Sequence, residues 1–258
     1  MRIAVIADVH GNLLALEAVL NDLRQHSPDV TVNLGDCVSG PLRPFETAEL
    51  LMSRQLLTVR GNHDRIVTGP RAEMGRHNIF SSDRLNERQV QWLKNLPPTA
   101  EIAGEVKMCH GTPDSDTDYL LETIEGKTVR LAEPAQIDQR LGGETYAVVL
   151  CAHSHVPRVV RSPRGQLVVN PGSIGLPAYF AGRPEPHAVD NGNPYARYAL
   201  LDRNAGRWNV TLCAVAYDWD NASAEAAQVG ASDWAHALAT GYALRLWGAG
   251  PAPQTLGN

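Results

Sequence analysis

The chain has 258 residues, 28.0 kDa, and 23 basic against 28 acidic side chains, a formal net charge of −5. That length allows one large domain or two small ones, and the acidic balance excludes the strongly basic character of a dedicated nucleic-acid binder. Hydrophobic residues make up 43% and charged ones 20%, which excludes global disorder, and no apolar run approaches the ~18 residues that cross a bilayer.

Residues 2–7 form a short apolar run that turns polar at Asp8, the pattern of a buried strand. Asn12 then caps a helical stripe over 13–25. Residues 30–35 read as a second strand, 44–54 as a helix with Pro near its start, and 55–60 as a third strand. This strand–helix–strand rhythm predicts a parallel, buried sheet. Further on, the pattern predicts a helix over 84–95 and strands at 99–109 and 146–151. Hairpins follow at 156–169 (a Pro-Arg-Gly turn) and 196–217 (an Asn-Ala-Gly turn), making a mixed sheet packed on the first. Five prolines and four glycines within 171–194 predict a long loop, in which Tyr179, Phe180 and Arg183 are weighed as contacts to a nucleobase and a phosphate against an ordinary surface loop. A helix is expected over 221–240. One domain over 1–245 and a C-terminal tail at 246–258 complete the reading.

The N-terminus lacks the length and cleavage pattern of a signal peptide, and the four cysteines show no CxxC spacing. They read as reduced core residues, and the expected location is cytoplasmic.

The ends of these strands carry metal-ligand residue types: Asp8 and His10, Asp36, then Asn62, His63 and Asp64, then His110, then His153 and His155. Five of the nine histidines fall at these ends, where an open α/β sheet builds its binding crevice. In extended backbone, residues two apart share a side, so Asp8 and His10 are expected to grip one ion together. Mixed carboxylate and imidazole donors suit manganese, iron, zinc, cobalt or nickel rather than calcium, with manganese the first candidate. Two such ions sharing one carboxylate, less Asp8, Asp36 and one bridging hydroxide, leave a site charge of about +1, suited to a phosphoester anion.

The ordered set Asp8-x-His10, Gly35-Asp36, Gly61-Asn62-His63-Asp64, His110-Gly111 and His153-x-His155 resembles the calcineurin-like metallophosphoesterase superfamily, and with Asn170-Pro171-Gly172-Ser173 its small phosphodiesterase-like bacterial branch. The resemblance implies a four-layer α/β/β/α sandwich with two mixed sheets flanked by helices. It places Asp8, His10 and His155 on a first metal and Asn62, His110 and His153 on a second, with Asp36 bridging. It also makes His63 the general acid toward the leaving oxygen, or a residue orienting the phosphate.

The match has departures. Ala152 stands where the family usually has Gly. Where Ser/Thr protein phosphatases have an Asp supporting that histidine and then an Arg holding phosphate, this chain has Ser39 and Gly40; the symmetrical dinucleoside-tetraphosphate hydrolases keep the Arg as well. The expected activity is therefore hydrolysis of a small-molecule phosphodiester, cyclic or linear nucleotides included. The alternatives are a phosphomonoesterase, protein phosphatase or dinucleoside-polyphosphate hydrolase, and a non-catalytic scaffold on the same fold. No membrane or stable nucleic-acid partner is expected, the motifs assign no substrate-binding residue, and they leave open what orients His63.

Overall fold

Alternation along the first strand sets the layering. Arg2–Ile6 form β1, from which Ile3 and Val5 enter one apolar core and Ala4 and Ile6 another, as the period of two requires. The computed structural model describes residues 1–245; the tail expected at 246–258 lies outside the described residues. Beside β1 run β2 (Val30–Asn33) and the very short β3 (Leu57–Thr58), both parallel. On its other side lies the long antiparallel hairpin of β13 (Ala196–Asn204) and β14 (Arg207–Val215). That hairpin therefore completes the first sheet rather than joining the second.

The second sheet holds, in spatial order, β4 (Thr99–Ile102), β5 (Val106–Cys109), β8 (Val148–Leu150), β10 (Leu167–Asn170) and β9 (Arg158–Arg161). Its Val106, Met108, Val148 and Leu150 meet Ile3, Val5, Val32 and Leu34 in a core between the sheets. Outside the first sheet pack α1 (Leu13–His26), α2 (Pro44–Arg54) and α5 (Glu87–Lys94), through Leu16, Val19, Leu51 and Leu93. Outside the second packs α6 (Pro134–Leu141), through Ile137 and Leu141. The result is the expected α/β/β/α sandwich of two mixed sheets.

A third sheet was not foreseen. Within the stretch expected to be loop, β11 (Ala178–Ala181) and β12 (His187–Asp190) pair antiparallel, and β12 continues onto the hairpin of β6 (Glu122–Glu125) and β7 (Thr128–Leu131). The prolines sit before, between and after these strands and not in them, so the ladder loses no donor. Ala178, Ala188 and Val189 pack under α7 (Trp219–Gln228) and α8 (Ser232–Thr240). These are two helices and not the single one expected, because Gly230 takes φ +76° between them. Two short helices, α3 (Asn62–Val67) and α4 (Arg76–Ser82), also escaped the sequence reading. No described helix is long and apolar enough to cross a membrane.

The Pro171–Ser173 segment and its successors brace the end of β1. Ile174 N donates to Ala7 O (3.0 Å), Gly175 N to Asp8 O (2.9 Å) and Ser173 Oγ to the same carbonyl (2.8 Å). A Cβ at Gly175 would lie 1.8 Å from Val9 O, so only glycine permits this approach. Gly175→Ala should cost about 3 kcal/mol of unfolding free energy. At Gly182, where a Cβ meets nothing, the same change should cost less than about 0.5 kcal/mol. Urea titration of both variants compares them, and equal stabilities would contradict this packing account.

Candidate metal centre

At the strand ends the backbone turns sharply. Asp8, His10, Asp36, His153 and His155 all have φ between 50° and 67°, a left-handed conformation that non-glycine residues adopt rarely and mostly at functional sites. The expected extended Asp8–His10 geometry is thus corrected: the two side chains converge because both corners are left-handed. Hydrogen bonds from Asp8 N to Gly35 O (3.0 Å) and from His10 N to Asp36 O (2.9 Å) lock the two corners together.

The side chains gather into two groups. Donor atoms of Asp8, His10 and His155 all lie within 4.8 Å of one another, as do those of Asp36, His110 and His153. Asn62 joins the second group, with Oδ1 3.0 Å from His110 Nε2. Asp36 lies between them: its Oδ1 accepts from His63 N (2.9 Å), and its Oδ2 faces His110 Nε2 (3.3 Å) and His10 Nε2 (3.7 Å).

Each of the four imidazoles is oriented by a backbone carbonyl. His10 Nδ1 donates to Ser39 O (2.8 Å), His110 Nδ1 to Leu34 O (2.7 Å), His155 Nδ1 to Leu176 O (2.8 Å) and His153 Nε2 to Thr117 O (2.9 Å). A carbonyl only accepts, so the proton sits on that nitrogen, and in His10, His153 and His155 the other nitrogen turns a lone pair inward, the arrangement typical of metal-bound histidine. His10 Nε2 and His155 Nε2 come to 3.1 Å with lone pair facing lone pair. Both Asp8 carboxylate oxygens and Asn62 Nδ2 are buried without a hydrogen-bond partner. Such a set is costly unless cations occupy it, and the donors fit divalent transition metals.

The matches to known proteins agree with this chemistry. Residues 1–189 match the calcineurin-like phosphoesterase superfamily domain. The chain belongs to that superfamily. An uncharacterized protein of Methanocaldococcus jannaschii is 30% identical over 202 residues, covering 68% of this chain and 76% of that protein. A metallophosphoesterase from Sphaerobacter thermophilus superposes with a TM-score of 0.73 at 27% identity, covering 93% of this chain and 99% of that one. A hypothetical protein of Pyrococcus horikoshii shares the fold, with a TM-score of 0.70 at 20% identity over 93% of this chain and 98% of that one.

Electrostatics in this phosphoesterase centre follow from its burial. Burial lowers the pKa of His10 to about 4 and that of His153 to about 3, and it lowers His155 as well. His110 behaves oppositely: burial works against its charge, but Asp36 and Asp8 outweigh it and raise the value to about 10. Burial, reinforced by Asp36, also holds the Asp8 carboxyl well above its usual range. A proton on His110 thus stands where a cation belongs.

A third buried carboxylate, Asp64, accepts from Asp36 N (2.9 Å), Cys37 N (2.9 Å) and Gly61 N (3.0 Å), and it is raised to about 6 by burial and by Asp36. It fixes the loop that carries Asp36, and the charge count from sequence omitted it. A Cβ on Gly61 would meet Asp36 Oδ1 at 2.1 Å, so the motif's glycine makes room for that carboxylate.

His63 is buried beside the first group, its ring 5.5 Å from that of His10. Sequence reasoning missed what surrounds it. Ser39 and Asn78 hold its Nδ1, and the Trp234 ring from α8 lies 5.8 Å from His10. Tyr179, weighed as a base-stacking residue, is instead buried against His155 at 4.8 Å, its hydroxyl 2.7 Å from that of Tyr119. Cys37, Cys109 and Cys151 are buried, and burial pushes their thiols up, so they behave as core residues.

Loading the metal-free protein with Mn²⁺ at neutral pH should release about one proton per chain, from His110. Titration calorimetry in buffers of different ionisation enthalpy measures this. A proton count of zero would contradict protonation of His110 in the metal-free protein.

Proposed function

We propose that the protein is a dinuclear metal-dependent phosphodiesterase, with Asp8, His10 and His155 on one ion, Asn62, His110 and His153 on the other, and Asp36 between them. The observation that carries the reading is the pair of buried donor groups sharing Asp36, with His63 alongside. Two bound divalent ions supply the Lewis acidity that activates a water and polarises the phosphoryl oxygens. The chain's own residues do the rest. The carbonyls of Leu34, Ser39, Thr117 and Leu176 fix the imidazoles, so little reorganisation is needed when charge develops. His63, with Nδ1 engaged by its neighbours, has Nε2 left for substrate. A proton on Nε2 passes to the departing ester oxygen, which leaves as the alcohol, and His63 is left neutral with its proton on Nδ1.

The diester preference rests on charge. Gly40 stands where the Ser/Thr protein phosphatases and the symmetrical dinucleoside-tetraphosphate hydrolases carry the Arg that holds phosphate. Asp64 adds a further carboxylate beneath the site. A centre of low net positive charge suits a monoanionic diester better than a dianionic monoester. A cavity of about 320 Å³, lined by Arg60, Thr99, Thr112 and Asp114 and bounded by His110, offers room for a second ester arm.

Chelated protein reloaded with Mn²⁺ should hydrolyse bis-p-nitrophenyl phosphate at least about tenfold faster than p-nitrophenyl phosphate. His63→Ala should lower diester kcat about 100-fold or more while leaving metal content unchanged. Monoester-only turnover would overturn the substrate class, and full activity in His63→Ala would overturn the role of His63.

A further inference from the structure

The third position after Asp36, where the Ser/Thr protein phosphatases carry an aspartate, is Ser39 here, and the structure shows what surrounds His63 instead. Asn78, from α4, places its side-chain oxygen 3.0 Å from His63 Nδ1 and 2.6 Å from Ser39 Oγ. Ser39 Oγ is itself 3.2 Å from the same ring nitrogen. All three residues are buried: Ser39 is 0% exposed, Asn78 2% and His63 5%.

The donor inventory fixes the directions. His63 Nδ1–H and Ser39 Oγ–H both donate, and a single amide oxygen with two lone pairs accepts both. With the proton held on Nδ1, the ring presents Nε2 away from this pair. Ser39 has a second task, because its backbone carbonyl accepts from His10 Nδ1 (2.8 Å). One residue thus orients a proposed metal ligand through its main chain and the proposed general acid through its side chain. α4 holds Asn78 in place: Ser81 Oγ accepts from Gly40 N (2.9 Å), and its single O–H has the carbonyls of Val38 (3.1 Å) and Gly40 (3.0 Å) within reach, fastening α4 to the loop on both sides of Ser39.

We infer that Asn78, seconded by Ser39, is the positioning residue of His63, a neutral amide serving where related enzymes use a carboxylate. The inference rests on the proposed role of His63 as proton donor. Its consequence is specific: the amide sets which ring nitrogen faces the substrate without adding a negative charge to a site that already buries three carboxylates, Asp8, Asp36 and Asp64. Loss of Asn78 frees the ring to rotate or change tautomer, and proton delivery suffers most where the leaving oxygen is most basic.

The test uses the full-length Mn²⁺-loaded protein and its Asn78→Ala, Asn78→Asp and Ser39→Ala variants, with phenyl methyl phosphate and p-nitrophenyl methyl phosphate as substrates. Asn78→Ala should lose about 10- to 100-fold in kcat on the phenyl ester and less than about fivefold on the nitrophenyl ester, with KM and metal content unchanged. Asn78→Asp, whose carboxylate still accepts from Nδ1, should recover to within about threefold of wild type on the phenyl ester. Ser39→Ala should lose about threefold. Equal losses on both esters, or no recovery with Asn78→Asp, would reduce Asn78 to a packing role and overturn the inference.

Heteronuclear NMR of nitrogen-labelled histidine in the zinc-loaded protein reads the same contact without turnover. His63 should carry its proton on Nδ1 in wild type and lose that preference in Asn78→Ala; a wild-type proton on Nε2 alone would overturn the inference. A wild type with no turnover, but with this NMR signature, would remove the proposed activity and keep the contact.

Discussion

Three carboxyl groups and four imidazoles are buried at one end of a sheet sandwich, and that concentration of ligand groups is the constraint on which the rest depends. Asp8, Asp36 and Asp64 are each no more than 1% exposed. Repulsion among such groups in a low-dielectric interior is worth several kcal/mol per pair and disappears only when cations or protons intervene. Without metal, a proton on His110, whose pKa is raised to about 10, intervenes there. Divalent ions would bring more positive charge to the same place.

Holding those donors together takes most of the fold's polar contacts near the crevice. Left-handed corners at five of the seven proposed ligands turn the side chains inward, and each corner is tied down by a neighbour. Asp64 gathers the amides of the Asp36 loop, and Ser173 and Gly175 gather the carbonyl of Asp8. Asn170 Nδ2 donates to Ala152 O and Ser154 Oγ, both at 3.0 Å, steadying the corner that bears His153 and His155. The backbone strain of the corners is offset by these bonds and by the apolar core between the two sheets, directly beneath.

Much of this was legible in the sequence because the information is local. Each apolar run ends at a ligand type, and the ordered motifs name all seven residues that the structure gathers. What was not legible depends on distant partners. The strands at Ala178–Ala181 and His187–Asp190 pair with each other and with Thr128–Leu131 across a proline-rich stretch that reads as loop. The third carboxylate, Asp64, stood inside a quoted motif, but its role shows only when three amides are seen to converge on it. Asn78 carries no motif at all, since its meaning comes from being 15 residues from His63 in sequence and 3.0 Å in space. Trp234 reaches His10 from beyond the residues that match the superfamily domain.

The central claim is that the two donor groups are one dinuclear centre joined through Asp36. Metal analysis by mass spectrometry, on protein saturated with Mn²⁺ and then desalted, tests it most directly. Wild type should retain about two ions per chain, His155→Ala about one, and Asp36→Ala fewer than one, each variant folded by circular dichroism. Retention of two ions by Asp36→Ala, or of none by wild type, would contradict the account.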